Sequence, residues 1–111
     1  MAKPIITPIN KRRYKVEEDF PFTVEGIDIV IPKGFMSDGG TIPRFFWAIV
    51  GSPFQPSIVE AAIIHDYLIA IGYDGEIRDR EFYRRLIKNK HPKWKSKLMY
   101  WAVVLYRKAT D

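Results

Sequence analysis

Residues 57–72 read Ser57-Ile58-Val59-Glu60-Ala61-Ala62-Ile63-Ile64-His65-Asp66-Tyr67-Leu68-Ile69-Ala70-Ile71-Gly72. Ser57 and Glu60 fit a Ser-x-x-Glu capping box and Gly72 fits a C-terminal stop, so the stretch is expected to be a helix. Advancing 100° per residue from Ile58 gathers Ile58, Ala62, His65 and Ile69 on one side. Glu60 and Tyr67 fall opposite and mark the wet side. His65 therefore stands near the most buried line of this helix. Asp66 stands to one side of it, between Val59, Ala62 and Ala70.

Working outward, Phe22-Thr23-Val24, Glu25-Gly26 and Ile27-Asp28-Ile29-Val30-Ile31 read as a hairpin ended by Pro32-Lys33-Gly34. Arg13 to Val16 supplies a candidate third strand. From Pro43 the pattern turns helical. A short helix from Pro43 to Val50 stops at Gly51. After the helix of residues 57–72, a third runs from about Ile77 to Lys90, ended by His91-Pro92, and a last one from about Lys93 to Lys108. The expected fold is α+β: a small antiparallel sheet (the hairpin plus a third strand) packed with three to four helices. It is read as one domain over residues 1–111, with an N-terminal segment (1–20), a hairpin (21–37) and a helical half (43–108).

The third helix repeats the anomaly of the first stretch. Phe82, Tyr83, Leu86 and Ile87 define its apolar arc, with Arg80, Arg84, Arg85 and Lys88 opposite, yet Asp79 lies in the middle of the arc. Burying unpaired ionisable groups would consume much of the ~5–15 kcal/mol that holds a domain together. His65, Asp79 and Asp66 are therefore expected to meet. The segment Ser37-Asp38-Gly39-Gly40-Thr41-Ile42-Pro43-Arg44 can join them. Its glycines permit close approach, Thr41 can cap the Pro43 helix, and Asp38 can point into the same space. A plain capped turn explains the same residues equally well.

Composition narrows the classes. Of 111 residues, 47% are apolar and 14% aromatic, which excludes a disordered tail. There is no cysteine, so disulfide scaffolds, cysteine-ligated zinc and a cysteine nucleophile are excluded. No apolar run approaches the ~20 residues of a membrane span, and Met1-Ala2-Lys3-Pro4 lacks a signal-peptide core. Residues 1–77 carry seven basic and ten acidic side chains, residues 78–111 eleven and three. Such asymmetry suits an anionic partner or the solvated face of surface helices. His91, at a helix break, reads as a surface residue. A His-Glu-x-x-His helix, a Walker A loop, a Gly-x-Ser-x-Gly elbow and a dinucleotide fingerprint are all missing from the sequence.

At Ser37 to Arg44, at Ala61-Ala62-Ile63-Ile64-His65-Asp66-Tyr67-Leu68, at Asp79 with Phe82, and at Met99-Tyr100-Trp101-Ala102-Val103, the chain resembles a family of small phage and prophage proteins, domain of unknown function 1353. Gly40 where alanine is usual and Tyr67 where tryptophan is common are mild departures. The resemblance implies a phage or prophage origin, hence the host cytoplasm or a virion as location, and brings no known activity. Its motif residues coincide with those found from helical phase, which suggests one site of Asp38, Thr41, Arg44, His65, Asp66 and Asp79.

Three readings follow. In the first, the site is a hydrolase centre. His65, Asp38, Asp66 and Asp79 hold a divalent metal, or His65 acts as general base oriented by an aspartate, with Thr41 and Arg44 binding an anion. In the second, the cluster is structural and the domain is a virion or tail component or binds a phage or host protein. The last helix is apolar all round through Leu98, Met99, Tyr100, Trp101, Val103, Val104 and Leu105, so it is either central or meets another chain, including a second copy. Phe45, Phe46, Trp47 and Phe54 form a second aromatic group. The third, nucleic-acid binding through Arg78 to Lys97, rests on charge alone.

Overall fold

The computed structural model describes residues 6–8, 14–37 and 56–110. The expected Pro43 to Val50 helix, its aromatic group, and Asp38, Thr41 and Arg44 lie outside these residues. The chain divides into two compact units, residues 1–38 and 39–111.

In the first unit, Phe20, Phe22 and Val24 are buried while Pro21 and Thr23 are exposed, the period-two signature of a strand with one covered face. This strand, β3 (Phe20–Val24), pairs antiparallel with β4 (Ile27–Ile31) in the register Phe20↔Ile31 to Val24↔Ile27. The two-residue turn holds Glu25 at φ 50° and Gly26 at φ 80°. Left-handed conformation at both positions matches the twist of a tight hairpin. The expected third strand exists as β2 (Tyr14–Val16), but it belongs to another sheet. There β1 (Ile6–Pro8) and β5 (Met36–Ser37) flank it, both antiparallel. Val16 also donates to the Phe35 carbonyl and accepts from the Gly34 amide. With both edges of β2 engaged, the hairpin pairs only with itself among the described residues.

The second unit contains α1 (Pro56–Ala70), α2 (Gly75–Lys88) and α3 (Lys93–Thr110). Helix α1 begins one residue before Ser57, and the Glu60 carboxylate bonds to the side chain of Asn89. The Glu60 half of the expected capping box is therefore taken up by a tertiary contact. At the other end Gly72 (φ 74°) is left-handed, the Tyr73 amide donates to the Leu68 carbonyl and the Gly72 amide to that of Ile69. This is a Schellman stop. Helix α2 starts two residues earlier than expected because Asp74 caps it, accepting from the Ile77 amide.

Helix α2 ends in a second Schellman stop, with the His91 amide on the Leu86 carbonyl and the Lys90 amide on that of Ile87. Here the left-handed position is held by Lys90 (φ 62°), not glycine. His91 follows it, a position whose side chain folds back on the last helical turn. That explains why His91 is buried and not on the surface as expected.

The contacts set the directions of the helices. His65 meets Asp79 and Glu60 meets Asn89 across the first pair, while Asp79 meets Arg107 and the Tyr83 ring lies tilted against that of Tyr100 across the second. Each helix is thus antiparallel to the next. Ile58, Ala61, Ala62, Phe82, Leu86, Met99 and Val103 form their shared apolar core. No helix is long and apolar enough to cross a membrane among the described residues. Lys90→Gly should raise stability by about 1 kcal/mol, by relieving left-handed strain on a side chain-bearing residue; denaturant unfolding of the two forms measures this.

Candidate functional site

Helix α1 brings His65 to the face of α2 that carries Asp79. His65 Nε2 lies 2.8 Å from Asp79 Oδ1, and the side chains are 4% and 1% exposed. The imidazole also packs against Phe82, with ring centroids 5.2 Å apart and planes inclined at 52°. The other carboxylate oxygen is taken from α3: Arg107 Nε donates to Asp79 Oδ2 at 2.7 Å. One carboxylate therefore ties three helices together. Burial pushes the Asp79 carboxyl up, but hydrogen bonds from His65 and Arg107 and their charge outweigh it and hold the group below its ordinary value.

Arg107 reaches Asp79 by passing over Gly75, one turn earlier on the same face of α2. A Cβ at residue 75 would lie 2.5 Å from Arg107 Cδ and 3.0 Å from its Nε. Gly75 is needed for this close approach and not for an unusual φ.

A second ionic cluster lies further along α1 and α2. Glu81 accepts from Arg84 Nε at 3.0 Å and from Arg85 Nε at 2.8 Å. Arg85 Nη1 lies 3.7 Å from Glu60 Oε1, which also accepts from Asn89 Nδ2 at 3.3 Å. Burial raises the Glu81 carboxyl, yet the hydrogen bonds from Arg84 and Arg85 bring it below its ordinary value. Glu60, Glu81 and Arg85 are buried. Two expectations fail here: Glu60, expected on a wet face, and Arg85, expected opposite the apolar arc, are both inside, Arg85 because Glu81 and Glu60 compensate its charge. Helix α1 is buried continuously over residues 60–65, so it has no wet face in that stretch and phase cannot locate one. Ile69, expected inside, is exposed in the last turn of α1.

Of the residues proposed from sequence, the structure brings His65 and Asp79 together. Asp66, next to His65 in the chain, is half-buried. Asp38, Thr41 and Arg44 lie outside the described residues. No three His, Asp or Glu side chains among the described residues are grouped to hold a metal ion, so His65, Asp66 and Asp79 do not form such a set. Arg107 and Gly75 were missed. Arg107 falls on the same side of its helix as Val103, a signal hidden because apolar residues surround the whole helix.

Asp79 and Glu81, both held below their ordinary values, contribute to the acid response. Groups whose folded pKa is depressed bind more protons when unfolded, so their contribution is present above the unfolded value and lost as pH falls through the folded one. Stability should thus decline below about pH 4, and Asp79→Asn with Glu81→Gln should flatten that decline, measured by urea unfolding across pH 2–7. Gly75→Ala should destabilise by about 1–2 kcal/mol through displacement of Arg107. In an Arg107→Ala background the same substitution should become neutral or stabilising, and a double-mutant cycle gives the coupling directly.

The chain matches the family described as protein of unknown function (DUF1353) over residues 14–103. It is 37% identical over 95 residues to the uncharacterised protein y4jT of Sinorhizobium fredii, covering 84% of this chain and 28% of that protein. A second uncharacterised protein of the same organism, y4iH, is 29% identical over 97 residues, covering 82% of this chain and 39% of its own length. The chain thus spans well under half the length of these curated relatives. No solved structure matches it. The matched span runs from β2 into α3 and includes His65 and Asp79 while stopping short of Arg107, and on that extent the chain belongs to the DUF1353 family.

Proposed function

We propose that this domain works by binding and not by catalysis, with the His65–Asp79–Arg107 cluster serving as a structural lock. The observation that supports this is the sharing of Asp79. One of its oxygens faces His65 and the other accepts from Arg107, with the histidine and the aspartate both sealed from solvent. A general base must lie within hydrogen-bond reach of the proton it takes. Here His65 Nε2 is turned onto Asp79 and Arg107 holds the other oxygen of the same carboxylate, so the pair is tied into the packing of three helices.

The charge pattern supports the same view. Of the eleven basic residues after position 77, Arg84, Arg85 and Arg107 are engaged in ion pairs with Glu81, Glu60 and Asp79. Part of the basic excess is therefore paired within the chain, which weakens the case for nucleic acid. The hydrolase reading retains one favourable observation, the 2.8 Å His65–Asp79 contact, which is the geometry of an imidazole oriented by a carboxylate.

The two readings predict opposite effects on stability. A structural lock requires His65→Ala to cost about 2–4 kcal/mol, through a lost charge-assisted hydrogen bond and a cavity beside Phe82. A catalytic pair, kept at the expense of stability, would leave the variant as stable as the parent or more so. Thermal and urea unfolding of His65→Ala and His65→Gln decide between them.

A further inference from the structure

Helix α3 carries more apolar surface than the bundle uses. Met99, Ala102 and Val103 are buried, whereas Trp94, Leu98, Trp101 and Leu105 are 60%, 39%, 62% and 62% exposed. The exposed four are spaced 4-3-4, the alternation of a coiled-coil seam. Along the helix they cover about 16 Å. On a 100° wheel they occupy an arc about 60° wide, centred opposite Val103. A helix that faces a whole core uses a wider stripe of about 100° or more, and the narrower arc is what one partner helix covers.

Charge specifies the partner. Helix α3 holds Lys93, Lys95, Lys97, Arg107 and Lys108 and no acidic residue. Arg107 is engaged with Asp79. Lys93, Lys97 and Lys108 are exposed, and Lys95 places its ammonium 5.5 Å from the Trp94 ring centroid. Lys97 flanks the seam and Lys108 continues it one turn beyond Leu105. A second copy of this helix would bring together two faces that each carry lysines and no acidic residue, a like-charge arrangement that opposes self-association.

We infer that the Trp94–Leu98–Trp101–Leu105 face docks an acidic amphipathic helix of another protein, apolar along its seam and carrying Glu or Asp beside it. This inference rests on reading the domain as a binding module and names the class of partner. Apolar contact supplies the affinity, and the lysines select the sign of the partner and speed its approach.

The test uses the full chain and two synthetic helical peptides with leucine at the seam, one flanked by glutamates and one by lysines. Tryptophan emission should shift to the blue with the glutamate peptide at one-to-one stoichiometry, and that peptide should bind at least about tenfold more tightly than its lysine counterpart. A Trp101→Ser/Leu105→Ser variant should lose at least about tenfold in affinity with an unchanged unfolding midpoint, since both side chains are exposed. Equal binding of the two peptides, binding of neither, binding only to phosphatidylserine vesicles, or dimerisation through this face in sedimentation would each overturn the inference. Its failure is separable from failure of the structural-lock reading, which is measured on His65 variants by unfolding and not by peptide binding.

Discussion

The carboxylate of Asp79 is the group on which the helical unit depends. It is surrounded by apolar packing, carries charge at neutral pH, and is compensated from two sides by groups that come from different helices. A buried charge with one partner removed costs several kcal/mol, so neither α1 nor α3 can leave α2 without exposing that cost. Apolar burial of Phe82, Leu86, Met99 and their neighbours supplies the bulk of the driving force, but apolar contact is non-directional. The hydrogen bonds on Asp79 have direction, and they select one rotation and one register from the many that a greasy interface would tolerate.

The second cluster reinforces this choice. Glu60 on α1 meets Arg85 and Asn89 on α2, while His65 on α1 meets Asp79 on α2. Two polar contacts at separated points along an antiparallel pair fix sliding as well as rotation. A slip by one turn would strand an acidic group at each end at once. Gly75 belongs to the same device from the opposite direction: by omitting a side chain it lets Arg107 pass over the start of α2 to its acceptor. The interior thus spends its polar groups on geometry. The surface of α3 keeps an exposed apolar stripe and its lysines apart from that task.

Much of this was legible from residue order, and its limits have physical causes. Helical phase worked for His65 and Asp79 because both lie on lines otherwise filled by apolar side chains, where a polar group is conspicuous. It failed for Glu60 because phase assumes one wet face and α1 is enclosed over residues 60–65, and for Arg85 because its charge is carried inside by Glu81 and Glu60. It missed Arg107 for a related reason, since an apolar background on every side hides which line is the buried one. His91, just before Pro92, reads as surface loop, whereas the Schellman geometry turns it inward. The third strand was seen, but strand pairing depends on which edges are open, and both edges of β2 were already engaged.

The amino-acid order alone determined the kinds of element, their sequence along the chain and the presence of ionisable groups on buried lines. Those properties follow from local periodicity, capping chemistry and the cost of desolvating charge, all of which act over a few residues. Only the tertiary structure decided which groups pair: that Asp79 is shared with Arg107, that Glu60 is inside, and that one face of α3 stays uncovered. Pairing joins residues 14 to 29 positions apart, and no local rule carries information over that distance.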